Sequence, residues 1–398
     1  MTNKALLALL MLMVIYSPLA VDIFLPAIPI MAHDFSVPLS RMQWSITLFL
    51  LTMGIGQLLS GPLADRYGRR PIAIWGIIIY CISSALSAFS TSFEFFIVCR
   101  MIQGFGTCAI IVTAFACVRD KYDPLQSGVV FSYLNSAIYC IPALAPILGH
   151  ALTELFGWRS TFEVMTAYGV CAGFIIAFFL SETRPNNTQQ DVSLISMSRF
   201  FSIVKHPIFL FNSILVMLTM AIIIAYVSSS PAWLIINLEQ SQQEFVFWFS
   251  LNATISIAAC FFTPKVLMKF GVRKTIELGM IILFLSGLLM FALREWHHPI
   301  GFMLPIMFSS IGGSLLMGTC AGQALLPFGK NAGTASALLG FIQMTGSAIL
   351  VSLLQLLPLN EPEQLALLIL SILPMYILWK RPKVKSTLYP THSAQFLT

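Results

Sequence analysis

Charge is what this sequence has least of. Only 10% of its 398 residues are Asp, Glu, Lys or Arg, against about 25% in soluble domains, so too few ionisable groups exist to cover a water-facing surface. An ordinary globular protein is excluded. A net charge of +6, spread thinly and without a basic stripe, also excludes a nucleic-acid-binding protein. The eight cysteines all lie in apolar runs, with no CxxC pair and no histidine at ligand spacing. Neither a disulfide framework nor a metal site is expected. The six histidines are scattered outside any catalytic grouping, and no Walker-type phosphate loop occurs. No enzyme and no bound cofactor are expected.

What the chain does have is apolar length. Hydrophobic residues make up 58% of it, and the mean hydropathy is +0.86. Runs of spanning length, about 20 residues each, fall near 5–30, 43–63, 71–89, 95–118, 127–151, 162–180, 208–236, 245–268, 276–293, 299–328, 333–357 and 364–379. An all-α integral membrane protein of twelve transmembrane helices is predicted. Ser17 to Ala20 loosely imitates a signal-peptide cleavage site, but eleven further spans favour a retained first helix. Of the 22 basic residues, 18 flank the spans on the side of the termini, 3 lie on the opposite side and Arg100 is inside the fourth span. By the positive-inside rule both termini are cytoplasmic. No loop gathers the 4 to 8 basic residues that mark a lipid-binding patch.

The longest polar interruption, Glu182 to Pro207, divides the chain into 1–181, a 182–207 cytoplasmic linker and 208–398 with a short tail. A weak repeat supports this division: RYGRR at 66–70 recurs as KFGVR at 269–273, 203 residues later. Each copy follows the second span of its half. Two parallel, pseudo-symmetric six-helix halves are therefore expected.

Asp22 is the one acidic residue well inside an apolar run, where a charge costs roughly 2.5–3.5 kcal/mol on insertion scales. Pro26 has no N–H for the Asp22 carbonyl, which opens the helix there. Counted at about 1.5 Å per residue, Asp22 and Arg100 lie at a similar depth, and an interaction between them is expected. Burial and a neighbouring arginine act oppositely on a carboxyl group's proton affinity, so a modest rearrangement moves Asp22 between its two states. That suits a proton carrier, the alternative being a structural ion pair. Tyr16, Asn135, Tyr139, Tyr226, Trp248, Asn252 and Gln343 are candidates to line the same cavity with Asp22, and Trp233 belongs either there or to an aromatic belt. With 19 Met and 32 Phe, they suit an adaptable apolar pocket. Glu163 is a second candidate carboxylate.

The segment GPLADRYGRRP, Gly61 to Pro71, sits between the second and third spans and closely resembles the signature loop of the major facilitator superfamily. Arg100 to Thr107 (RMIQGFGT) is similar to the arginine motif of the fourth helix, and Gly157-Trp158-Arg159 with Phe162 to the entrance of the sixth in drug/proton antiporters. Ala332 to Gly340 resembles the eleventh helix of the Bcr/CflA group. In the fifth span Asn135, Tyr139, Pro142, Pro146 and Gly149 recur at steps of 4, 3, 4 and 3 on one helical stripe. This resembles the antiporter motif with two departures: Ala145 precedes Pro146 where the family has glycine, and His150 stands in place of a second glycine.

The resemblance implies the major facilitator fold in a bacterial inner membrane and a monomer. It implies proton-driven efflux of lipophilic, neutral or cationic antibiotics, phenicol-like drugs among them, with drugs, protons and the bilayer as partners and the proton gradient as energy source. Proton coupling falls to Asp22 and Arg100. Gating falls to Gly61, Asp65, Arg69, Asp120, Pro142, Pro146 and Gly149, with Asp65 also reaching the start of the eleventh helix near Asn331. The alternative is a proton-coupled exporter or importer of a metabolite such as a sugar or an amino acid. The charge distribution makes one prediction independently: a cysteine placed between Glu182 and Pro207 resists impermeant maleimide in intact cells and reacts in inverted vesicles. Labelling from outside reverses the orientation.

Overall fold

The computed structural model describes residues 3–122, 124–184 and 197–381, so most of the expected linker lies outside the described residues. Every regular element among them is a helix: α1 (Asn3–Asp22), α2 (Ile28–Asp34), α3 (Leu39–Tyr67), α4 (Arg69–Ala88), α5 (Phe93–Lys121), α6 (Pro124–Phe156), α7 (Arg159–Phe179), α8 (Met197–Val204), α9 (Pro207–Pro231), α10 (Gln242–Leu293), α11 (Pro299–Leu325), α12 (Ala332–Phe341), α13 (Ser347–Gln355), α14 (Glu361–Leu370) and α15 (Ile372–Lys380). Among the described residues ten helices are long and apolar enough to cross a membrane, and Ile141–Phe156 is a shorter apolar one. The expected eighth and ninth spans are the two arms of α10, whose 52 residues are broken by a kink at non-helical Gly271.

The chain forms two compact units. The first is Met1–Ile195 with Val227–Ala253, and the second is Ser196–Tyr226 with Thr254–Thr398. These divisions cut α9 and α10, whereas the sequence division falls between spans. The first unit holds the start of α10 because α6 binds it directly: Ser250 Oγ donates to the Ala143 carbonyl at 3.0 Å.

In the first unit α1 lies against α5, α6 and α7, while α4 packs on α5 and α7. Pro26 has the effect expected of it: α1 ends at Asp22 and a 3-10 turn, Leu25–Ala27, leads into α2. The side of α6 carrying Gly149 closes on this break so tightly that a Cβ there would overlap the Ile23 carbonyl oxygen. Lipid offers no hydrophobic gain for helix pairing, so such close backbone approach is what holds the helices. At one end of the unit Trp158 Nε1 donates to Asp34 at 2.8 Å and Arg159 lies 3.8 Å from the same carboxylate. Phe162 meets Phe24 and Phe96 with ring centres 5.5 and 5.4 Å apart. The Gly157-Trp158-Arg159 motif with Phe162 thus fastens α7 to α2 and α5.

The second unit repeats the local geometry of the first. Gly68 and Gly271, 203 residues apart, both hold φ in the left-handed half of the map, at 105° and 74°, a conformation other residues adopt only with strain. Eight residues beyond each, a glycine meets another on the following span. A Cβ on Gly76 would stand 2.7 Å from the Gly106 carbonyl oxygen, and one on Gly279 3.1 Å from that of Gly312. Elsewhere in this unit Ser286 Oγ donates to the Pro305 carbonyl at 2.7 Å, and Asn360 forms a reciprocal cap with Glu363 at the start of α14.

Gly149→Ala forces α1 and α6 apart. We expect a loss of about 1–3 kcal/mol, the usual cost of overpacking, seen as a lower unfolding temperature in detergent. Gly61→Ala is the control, because no atom lies within 4 Å of a Cβ there. Equal unfolding temperatures for the two variants contradict the close contact.

Candidate functional site

Two groups of polar residues stand out in the first unit. One surrounds the break in α1. Arg100 is fully buried, and each of its contacts is to a neutral group: Nη1 donates to Gln103 Oε1, Nη2 to the Ala20 carbonyl at 2.9 Å and Nε toward the Ser45 carbonyl at 3.5 Å. The rings of Phe49 and Phe24 flank the guanidinium at 4.5 and 4.9 Å, where their electron-rich faces attract it. Gln103 passes the network to Ser84 Oγ at 2.6 Å.

Asp22 is only 4% exposed, and among the described contacts it forms no hydrogen bond or ion pair with Arg100. The expected interaction fails on azimuth, not on depth. Ala20 and Asp22 are two positions apart, about 200° around a helix at 3.6 residues per turn, so an arginine docked on the Ala20 side faces away from the carboxylate. Asp22 shares the azimuth of Ala8, Met11 and Ile15, which are exposed or half-buried, but from Pro18 onward this side of α1 is buried.

Tyr16 shares the Ala20 side. It is fully buried and donates to the Gly169 carbonyl at 3.0 Å, with its ring against Tyr80 and Tyr168 at 4.8 and 5.0 Å. Trp248 is half-buried and Asn252 buried in the same unit. Tyr226 and Gln343 belong to the second unit, where Gln343 occupies a π-helical turn, Ile342–Gly346, and donates toward Met317 Sδ at 3.7 Å. The side chains of Asn135 and Tyr139 lie outside the described residues.

The other group lies where α3 turns into α4. Asp65 and Asp120 both bind Arg69, through Nη1 at 2.5 Å and Nε at 2.8 Å. Asp65 and Arg69 are four apart, and Asp120 comes from the last turn of α5. The meeting of all three is the geometry that the family resemblance implied. Asn331, the other expected neighbour of Asp65, is outside the residues with described side chains.

Sequence reasoning missed the third side of this cluster. Glu182, just beyond α7, accepts hydrogen bonds from the backbone N–H groups of Arg69, Arg70, Thr183 and Arg184 at 2.8, 3.2, 3.0 and 2.9 Å. Partial burial alone raises a carboxyl pKa, but these four donors outweigh it and hold Glu182 below the ordinary carboxylate range. Arg184 Nη1 donates to the carbonyls of Asp65 and Arg66 at 3.3 and 2.5 Å. Thr183 Oγ1 reaches Cys117 Sγ and Asp120 at 3.3 and 3.4 Å, and Arg70 Nη2 donates to the Ala177 carbonyl at 2.7 Å. An anion therefore sits on the N-terminus of α4 and a cation on the C-terminus of α3, the signs the helix dipoles favour. A carboxylate and an arginine two apart, beside the end of a span on the same side as a basic loop, are the signal that could have revealed the clamp.

Comparison with known proteins agrees with this architecture. A family model described as Major Facilitator Superfamily matches residues 10–351. The chain is 32% identical to proteins named multidrug resistance protein MdtL from Citrobacter koseri and Klebsiella pneumoniae, in each case over 89% of both chains. Among solved structures, a D-xylose-proton symporter superposes with a TM-score of 0.74 at 15% identity, covering 97% of this chain and 99% of that one. The human organic anion transporter MFSD10 gives 0.70 at 15% identity, with 95% and 99% covered.

Glu182→Ala strips the carboxylate from four donors, at an expected cost of about 1 kcal/mol, typical of a helix-cap loss. Because its folded pKa is depressed, Glu182 stabilises the turn above the ordinary carboxylate range, and that contribution disappears as pH falls through the depressed value. Amide exchange across residues 66–72 is therefore expected to quicken in the variant at neutral pH. In the wild type, protection relative to the intrinsic rate at each pH is lost only in acid. Identical exchange in both proteins at neutral pH refutes the clamp.

Proposed function

The chain belongs to the Major Facilitator Superfamily, a family of membrane transporters and not enzymes, and on that premise we propose that it is a proton-coupled exporter of lipophilic drugs. Neutral or cationic antibiotics are its expected cargo, moved by alternating access across a bacterial inner membrane with both termini in the cytoplasm. The drug-resistance names of its relatives support the substrate class. The 18 to 3 distribution of basic residues supports the orientation.

One observation carries the coupling: Asp22 is buried at the break of α1 and is not committed to Arg100, which docks on the Ala20 carbonyl. An intramembrane carboxyl group spared a structural partner is available to exchange a proton for substrate. Each proton moving inward releases about 2.3 kcal/mol per 100 mV, before any pH gradient is added. Arg100 then has a supporting part, holding the opened end of α1 against α3 and α5 so that Asp22 keeps its position. Asp65, Arg69 and Asp120 form the latch of the cytoplasmic side, seated by Glu182 and Arg184. Gly61, Pro142, Pro146 and Gly149 let the neighbouring helices close.

Asp22→Asn keeps the side chain's size and removes its titratable charge. Reconstituted with only a proton gradient, this variant is expected to lose drug accumulation while unfolding at the wild-type temperature. Arg100→Ala behaves differently: it strips hydrogen bonds to a charged group, worth about 1.5–3 kcal/mol each, and lowers stability itself. The coupling role fails if Asp22→Asn, correctly inserted, still drives drugs uphill. A substrate panel that includes sugars and amino acids separates drug export from metabolite transport.

A further inference from the structure

His150 stands where the antiporter motif carries a small residue, and the structure gives it two partners. Its side chain is 17% exposed. Nδ1 lies 2.9 Å from Gln242 Oε1 on the first turn of α10, and Nε2 lies 3.7 Å from Glu154 Oε2, one turn further along α6. The Ser250–Ala143 hydrogen bond joins the same two helices again. Ala143 precedes His150 by seven residues and Ser250 follows Gln242 by eight, so α6 and α10 run antiparallel here, with the two links about 10 Å apart along the helix. The adjoining Gly149 presses on the Ile23 carbonyl. This stretch of α6 is thus held between the break of α1 and the start of α10.

Gln242 presents an amide within hydrogen-bond distance, and Glu154, at 3.7 Å, presents an anionic oxygen within ion-pair reach. A neutral imidazole keeps the Gln242 link, donating to the amide oxygen or accepting from the amide NH2, whereas imidazolium donates to the oxygen from a charged N–H and is also attracted by the Glu154 carboxylate. Charge strengthens the hydrogen bond to Gln242. The other charged groups on the surrounding elements are Asp22 on α1, Arg159 and Glu163 on α7, and Glu244 on α10. Arg159 is engaged by Asp34, and Glu244 by the N–H and hydroxyl of Ser241. Glu154 is the carboxylate in reach of the ring.

We propose that His150 is a proton-binding latch that holds α6 to α10 at the outer end of the first unit, closed when the imidazole is charged and loosened when it is neutral. This rests on the proton-coupled reading above and deepens it. The end of α6 faces the proton-rich side, so protons that load Asp22 also charge His150, and the outer end closes behind a loaded carrier. A carrier without protons holds α6 to α10 here by a neutral hydrogen bond, which is weaker, and closes less readily. Coupling then depends on two protonations, one at the site and one at the outer seal.

Spin labels at Leu155 and Gln243, both exposed, report the α6–α10 separation in the full-length protein in nanodiscs, in a cysteine-depleted background. The ratio of short to long distances is expected to rise about tenfold between pH 8 and pH 5, the range in which imidazoles titrate. His150→Asn is neutral throughout and is expected to give a ratio that does not change with pH. Gln242→Glu supplies a carboxylate for the imidazolium and is expected to move the transition to higher pH.

A wild-type pH step retained in His150→Asn, or a distance that lengthens in acid, overturns the latch. Asp22→Asn is expected to keep the step, because it leaves the His150 contacts in place. Loss of the step in Asp22→Asn but not in His150→Asn assigns it to Asp22 and also overturns the latch. Failure of the coupling role of Asp22 is read separately, from uphill transport.

Discussion

A backbone carbonyl within a membrane must find a donor, because lipid supplies none. At the break of α1 this constraint organises the first unit. Pro26 removes the N–H that would continue the helix, α1 ends at Asp22, and the chain turns through Leu25–Ala27. Arg100 reaches the opened end from α5 and donates to Ala20, while its other donors take Ser45 and Gln103. The cation thus docks two residues before Asp22, whose carbonyl is the one Pro26 leaves without its helical donor. Phe24 and Phe49 complete its surroundings, and Gly149 is the residue small enough to let α6 close over the same opening. Three motifs far apart in sequence serve one local need.

The internal repeat shows which parts of the fold are scaffold and which are specialised. Positive φ at Gly68 and Gly271, and the glycine contacts that follow each of them, occur in both units. The charges do not. The residues 203 positions beyond Asp65 and Arg69 are Met268 and Val272, so the second copy has neither the carboxylate nor the arginine of the first. Gly271 breaks α10 with a non-helical backbone where Gly68 separates α3 from α4. Backbone packing is therefore duplicated, and the Asp65–Arg69 pair is not.

What the sequence made legible follows from the range of each signal. The spans could be read because hydropathy is local, and the Asp65–Arg69 pair because four residues is one helical turn. Asp120 needed the resemblance, since 51 residues separate it from Arg69. Glu182 and Arg184 read as the start of a polar linker, because nothing in their composition reveals a contact with backbone more than 110 residues away. Asp22 and Arg100 match in depth, a coordinate that rise per residue supplies. Their separation around α1 depends on which face of that helix meets α5, and one sequence does not contain that angle.

That separation gives the site its logic. A carboxylate locked to the arginine that secures the helix break could not change protonation without loosening the break, and each proton would disturb the packing of α1 on α5. With the cation satisfied by carbonyls and an amide on the Ala20 side, the packing of α1 on α5 does not draw on the Asp22 carboxylate. The same separation of duties appears at the α3–α4 turn, where Glu182 and Arg184 hold backbone atoms and leave Arg69 to its two aspartates. In both places it is charges bound to backbone carbonyls or N–H groups that secure the helix ends.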